Sequence, residues 1–212
     1  MSIREPILRF FGHLLWPSSC SICGAIGVPV CVECLLPLLS PPMPAVLGDF
    51  PLETGGIHEG FLRDLILELK YGGDRTLGVS MGRALGRIFP KPSGDVLVPV
   101  PLHRDSVRGF NQSKAIAEGL RLEWGILVSD CLEWREERIA QTARKESERR
   151  NMPLDAMVVR RKGLAGKRTV LVDDVTTTGT TLQRAGIAVK RGGGRVVCAY
   201  TWTAVPKGKK WL

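Results

Sequence analysis

The stretch Val170-Leu171-Val172-Asp173-Asp174-Val175-Thr176-Thr177-Thr178-Gly179-Thr180-Thr181-Leu182 decides the fold. Its apolar opening reads as a buried strand that ends on two adjacent carboxylates. A turn of threonines with one glycine follows, and then a helix over 180–191. Ligands of open parallel sheets bind at such strand ends. A helix N-terminus offers backbone N–H groups and positive potential to an anion. The threonine hydroxyls add donors, and Gly179 lets the backbone come close. The segment is therefore read as a cup for a monophosphate, with Asp173 and Asp174 able to accept hydrogen bonds from vicinal ribose hydroxyls. An Asp-Asp turn leading into a threonine-capped helix is the plainer alternative, and it leaves the preceding strand unexplained.

Outward from this segment, residues 61–70, 76–89 and 109–123 carry the apolar spacing of helices. Residues 96–100, 126–132 and 195–203 read as further strands, and 192–194, all glycine, end the last helix. Continuous apolar strands alternating with helices predict an α/β fold with a parallel sheet covered on both faces. Five prolines between 37 and 51 mark a linker or an ordered loop. The expected division is therefore 1–50, with a short amphipathic helix over 2–16, and 51–212.

Four of the six cysteines fall at Cys20, Cys23, Cys31 and Cys34, as two CxxC pairs seven residues apart. Two such turns close a tetrahedral all-thiolate site, which favours structural Zn2+. Reduced thiols, two disulfides or an iron–sulfur cluster are the weaker readings. Cys131 and Cys198 lie in apolar runs and read as core residues.

The 212-residue chain is 44% hydrophobic and 24% charged, which excludes a largely disordered protein. The apolar runs are too short and proline-broken to span a bilayer. The first residues only loosely mimic a secretion signal, so the expected location is cytoplasmic. Net charge is +9, and residues 135–168 hold eleven Lys/Arg against five Asp/Glu. That surplus suits a polyphosphate ligand or nucleic acid, and equally a solubilising surface. Trp16, Trp134, Trp202 and Trp211 are candidate stacking platforms for bases, set against a role in the core.

The motifs stand in a fixed order: the four-cysteine module, KYGGD over 70–74, VPVPLHR over 98–104, RGFNQS over 108–113, AQT and ERRN between 140 and 151, then VLVDDVTTTGTTL. The last segment resembles the 5-phosphoribosyl-1-pyrophosphate (PRPP) motif of type I phosphoribosyltransferases. The whole series resembles the ComF family, which joins an N-terminal zinc finger to a phosphoribosyltransferase-like domain.

The resemblance implies that Asp173 and Asp174 hold the ribose hydroxyls and that Thr177, Thr178, Gly179, Thr180 and Thr181 hold the 5′-phosphate. It implies a pyrophosphate loop at Leu102, His103 and Arg104, with Arg108 nearby, and Mg2+ bound with PRPP. It implies a closing lid with Arg138, Gln141, Arg144, Arg149 and Asn151, where an exposed charged helix is the equal alternative. Lys70 is a further candidate phosphate ligand, though KYGGD is also ordinary helix-end chemistry. The family further implies single-stranded DNA uptake in natural transformation beside a helicase-like partner.

One position departs from the purine-salvage relatives. They carry an acidic residue three places after the second carboxylate, to assist the nucleobase. Here that place is Thr177, which accepts no proton at neutral pH. PRPP binding is thus read more directly than any particular transfer. An active transferase with an unidentified acceptor and a non-catalytic PRPP sensor both remain open.

Overall fold

A computed structural model describes residues 18–103, 106, 109–135, 153–160 and 163–205. The helix expected over 2–16 lies outside these residues.

A six-stranded sheet forms the centre, in the order β1-β2-β8-β7-β3-β4. Its strands are β1 (Ala45–Leu47), β2 (Phe50–Thr54), β3 (Val96–Pro99), β4 (Leu127–Val128), β7 (Arg168–Thr176) and β8 (Arg195–Ala204). All neighbouring pairs are parallel except β1 with β2. The expected parallel α/β sheet is therefore present. β2 and β1 lie in and beside the proline-rich stretch. Pro51 sits in β2 with its face exposed, which a sheet tolerates where no ladder bond is needed from it.

The strand expected over 126–132 is instead two pieces. Leu127–Val128 joins the main sheet, while β5 (Leu132–Trp134) pairs antiparallel with β6 (Met157–Val159) in a separate ribbon. Ser129 donates its N–H to Leu97 O, and the chain then leaves the sheet. The break falls at Ser129-Asp130, polar turn-forming residues inside the expected strand.

Two helices pack on one face of the sheet: α3 (Arg75–Ile88) and α4 (Gln112–Trp124). Asp74 caps α3 by accepting from Thr76 N–H, and Asn111 caps α4 by accepting from Lys114 N–H. Helix α4 thus starts three residues after the expected boundary. The two helices cross closely because Gly82 and Gly119 meet at the contact. A Cβ on Gly82 would collide with Ile116 O, and one on Gly119 with Val79 O. Helix α5 (Thr180–Arg191) covers the other face, where Leu182, Ala185 and Val189 join Val98, Leu171 and Ala199.

The four-cysteine segment, with the short helix α1 (Val32–Leu35), packs into this same body. Cys20, Val30, Val32 and Leu35 share one core with Leu69, Leu77, Met81 and Trp202. Glu33 reaches Arg87 of α3 at 3.1 Å. Helix α2 (Gly60–Tyr71) completes that layer through Leu65, Ile66 and Leu69.

Candidate functional site

Parallel strands β2, β8, β7 and β3 all end on one side of the molecule, where β7 runs past the end of β3 and ends level with β8. Its last residues carry the two carboxylates. Asp173 is buried, 7% exposed, and its Oδ1 accepts from Ser113 Oγ at 2.9 Å and from Asp174 N–H at 2.9 Å. Burial and the neighbouring Asp174 push its carboxyl well above the usual carboxylate range, against the pull of those two donors. Asp174 is half-buried and has a different partner. Its Oδ2 lies 3.0 Å from Lys70 Nζ, and its Oδ1 accepts from Val175 N–H. Lys70 stands in the last turn of α2. Tertiary packing thus brings Lys70 and the Asp pair together across more than a hundred residues.

The threonine turn follows directly. Gly179 has φ of +76°, a conformation that disfavours any side chain, and a Cβ there would strike Leu47 of β1. Strand β1 therefore pins the turn from the side. Thr178 Oγ1 and Thr180 Oγ1 lie 2.8 Å apart, and Thr180 N–H donates to Thr178 Oγ1. Gly179 caps the 12-residue helix α5. Thr177 is exposed, whereas Thr178, Thr180 and Thr181 are half-buried. The turn, its hydroxyls and the N-terminus of α5 thus lie together at the end of β7.

On the other side of β7, β3 ends and leads to Pro101, Leu102 and His103. Val100 N–H donates to Val172 O, which seats this turn beside the carboxylates. Trp134 Nε1–H donates to Pro101 O at 3.0 Å, and the Trp134 and His103 rings are 5.2 Å apart. Asn111 Nδ2 donates to Val100 O from the start of α4. Leu102 and His103 thus follow directly on the end of β3, next to β7. Arg104 and Arg108 lie outside the described residues, as do Arg138, Gln141, Arg144, Arg149 and Asn151.

Sequence reasoning missed Ser113, His58 and the anchoring role of Trp134. Ser113 sits within a quoted motif, but only the fold turns it toward Asp173. Trp202 is fully buried, its Nε1–H donated to Leu62 O, so it belongs to the core rather than to a stacking surface. Trp16 and Trp211 lie outside the described residues.

The thiol sulfurs of Cys20, Cys23, Cys31 and Cys34 all lie within 4.8 Å of one another. The Cys23–Cys31 separation is 3.7 Å, close to the roughly 3.8 Å edge of a tetrahedron with 2.3 Å metal–sulfur bonds. Cys31 N–H points at Cys20 Sγ. Burial raises the Cys20 thiol, but N–H groups of Cys31, Cys23 and Ile22 outweigh it and hold it down to about 6. The cluster can hold a metal ion. Cys131 and Cys198 are buried, as expected of core residues.

This architecture, a mostly parallel sheet with a carboxylate pair above a threonine turn, defines a phosphoribosyltransferase-like α/β protein with an N-terminal four-cysteine cluster. Residues 134–211 match the phosphoribosyl transferase domain family. The chain is ComFC-like: it is 29% identical over 143 residues to competence protein ComFC of Streptococcus pneumoniae (strain ATCC BAA-255 / R6), covering 66% of this chain and 62% of that protein.

Among solved structures, it is 20% identical to the allosteric regulatory enzyme of purine biosynthesis, over 63% of this chain and 29% of that one, with a TM-score of 0.45. It is 19% identical to Mycobacterium tuberculosis H37Rv orotate phosphoribosyltransferase, over 80% and 79% of the two chains, with a TM-score of 0.38. Among the described residues, no helix is long and apolar enough to cross a membrane.

Proposed function

We propose that this chain binds PRPP with Mg2+ and is built for phosphoribosyl chemistry. The observation that carries the reading is the carboxylate pair at the carboxyl end of β7, directly above the threonine turn and the α5 N-terminus. Asp174, with Asp173 behind it, accepts hydrogen bonds from the ribose hydroxyls. Thr177, Thr178, Gly179, Thr180 and Thr181 take the 5′-phosphate. Leu102 and His103 face the pyrophosphate, Arg104 of the same motif lies outside the described residues, and Lys70 adds a cation. Mg2+ bound with the diphosphate would neutralise charge as pyrophosphate leaves. The lid that the resemblance implies, with Arg138, Gln141, Arg144, Arg149 and Asn151, lies outside the described residues.

The four cysteines hold structural Zn2+. All four tetrahedral positions are thiolates, so the site has no open position for catalysis.

A nucleic-acid role, in single-stranded DNA uptake beside a helicase-like partner, is supported by the opposite end of the sheet. There Lys91, Lys167, Arg168, Lys190, Arg191 and Arg195 are all exposed, and Asp95 is engaged by Arg168. Cations on a helix C-terminus are ordinary, but four of these six lie on other elements. A strand bound there loses affinity steeply with salt, because its counterions are released.

The deciding experiment is calorimetry of the full, metal-bound chain with magnesium-PRPP, alongside Asp173→Asn/Asp174→Asn. Saturable binding lost in the variant supports the reading. A folded wild type that ignores PRPP removes it.

A further inference from the structure

We propose that His58 forms the acceptor side of the ribose-phosphate site and receives the proton of the nucleophile that attacks the anomeric carbon. This rests on the PRPP reading above. Its starting point is the order of strand ends. The turn after β3, read as the pyrophosphate side, flanks β7 on one edge. On the other edge Val205 N–H donates to Thr176 O, Ala204 N–H to Gly56 O, and His58 N–H to Ala204 O. His58 therefore stands two strands across from the end of β7, about 10 Å by strand spacing. A nucleophile displacing pyrophosphate approaches the anomeric carbon from the face opposite the leaving group. With pyrophosphate toward β3, that approach comes from the β8 and β2 side, where His58 lies.

The chemistry of the side chain suits the place. Thr177 offers no proton acceptor, and the two described histidines, His103 and His58, fall on opposite sides of the carboxylates. His58 Nδ1 lies 2.8 Å from the buried Thr203 Oγ1. With that nitrogen protonated and donating, Nε2 keeps its lone pair. The ring is half-buried, and the charged groups around it are Lys70 and Arg63 of α2, Asp174 of β7 and the adjacent Glu59. Burial, then Lys70 and Arg63, lower its proton affinity, and Asp174 only partly opposes them. The imidazole is accordingly neutral at neutral pH and free to accept.

In the step, an N–H or O–H acceptor bonds to the anomeric carbon. The bond from that carbon to pyrophosphate breaks, its electron pair leaves on pyrophosphate, and the acceptor's proton passes to His58 Nε2. The acceptor class is thus a neutral nucleophile carrying a removable proton.

The test uses the full, metal-bound chain, with calorimetry for magnesium-PRPP and 15N spectra of the imidazoles, His58→Gln assigning the signal. In the free protein His58 carries its neutral-form proton on Nδ1. On saturation with PRPP its titration midpoint rises by at least about half a pH unit, because the polyanion offsets the field of Lys70. His58→Gln binds PRPP within about threefold of wild type. A midpoint unmoved by bound PRPP, or a neutral ring protonated on Nε2, overturns the proposal. So does a tenfold loss of PRPP affinity in His58→Gln, which would make His58 a PRPP ligand. A wild type that binds no PRPP overturns the underlying reading first, and calorimetry shows that separately.

Discussion

Lys70 Nζ and Asp174 Oδ2 lie 3.0 Å apart, both side chains less than one-fifth exposed, and this contact ties the end of α2 to the end of β7. The lysine thus holds the very carboxylate that the ribose reading needs. It does so from a motif that sequence alone reads first as an ordinary helix end.

Lys70→Met removes the cation and leaves Asp174 half-buried without it. Such a loss costs about 1–3 kcal/mol of stability, read by denaturant unfolding. PRPP affinity falls at least about tenfold, read by calorimetry, since a charge-assisted contact is lost. Lys70→Arg keeps the charge and restores most of the stability.

Asp173 gives a pH signature. Burial beside Asp174 raises its folded carboxyl to about 8, above the ordinary 3.8. The stability this confers is fully present below the ordinary value and drains away as pH climbs to about 8. Asp173→Asn lacks that titration. Its stability relative to wild type therefore improves steadily across this window and then levels off, as urea unfolding at stepped pH will show. A difference that does not change with pH would mean an ionised Asp173 throughout.

Metal removal acts on the whole body, because Cys20, Val32 and Leu35 share the core of α2 and α3. Cys31→Ser, or a strong chelator, lowers the Tm by roughly 20 °C or more, a size set by site energies near 10 kcal/mol and about 2–4 °C per kcal/mol. Wild type releases one metal ion per chain on denaturation, measured by elemental analysis. A chelated protein with unchanged Tm would mean that the cluster is an appendage.

The α3–α4 crossing depends on missing side chains. Gly82→Ala drives a methyl into Ile116 O, a backbone atom that cannot rotate away. Overpacking of this sort costs about 1–3 kcal/mol. The penalty appears in denaturant unfolding, and it reaches PRPP binding through Ser113, which α4 holds against Asp173. Gly125→Ala is strained for a different reason, a φ of +68° at the α4 C-terminus, and leaves the crossing intact.

Much of the molecule was legible in the residues. The strand–Asp173–Asp174–threonine series carries its own local geometry: an apolar run buries itself, glycine supplies the positive φ at 179, and the helix end supplies the donors. The four cysteines are equally local, since two CxxC turns need only seven intervening residues to converge. The break between Val128 and Leu132 had a signal in Ser129-Asp130, but apolar residues on both sides made the stretch read as one strand, and only the pairing of Leu132–Trp134 with Met157–Val159 separates the pieces. The sheet role of Phe50–Thr54 was hidden by the prolines around it.

Sequence by itself determined the parallel α/β class, the strand–Asp–Asp–threonine turn and the thiolate cluster, because each is specified by periodicity or by residues within one short segment. Only the tertiary structure decided that Asp173 turns inward to Ser113 while Asp174 meets Lys70, and that His58 stands beyond β8. Those relationships join residues 60 to 145 positions apart, and no local pattern encodes which strand end a distant side chain will reach. Packing settles it: the glycine-lined crossing of α3 and α4 and the order of the sheet bring these groups to one edge.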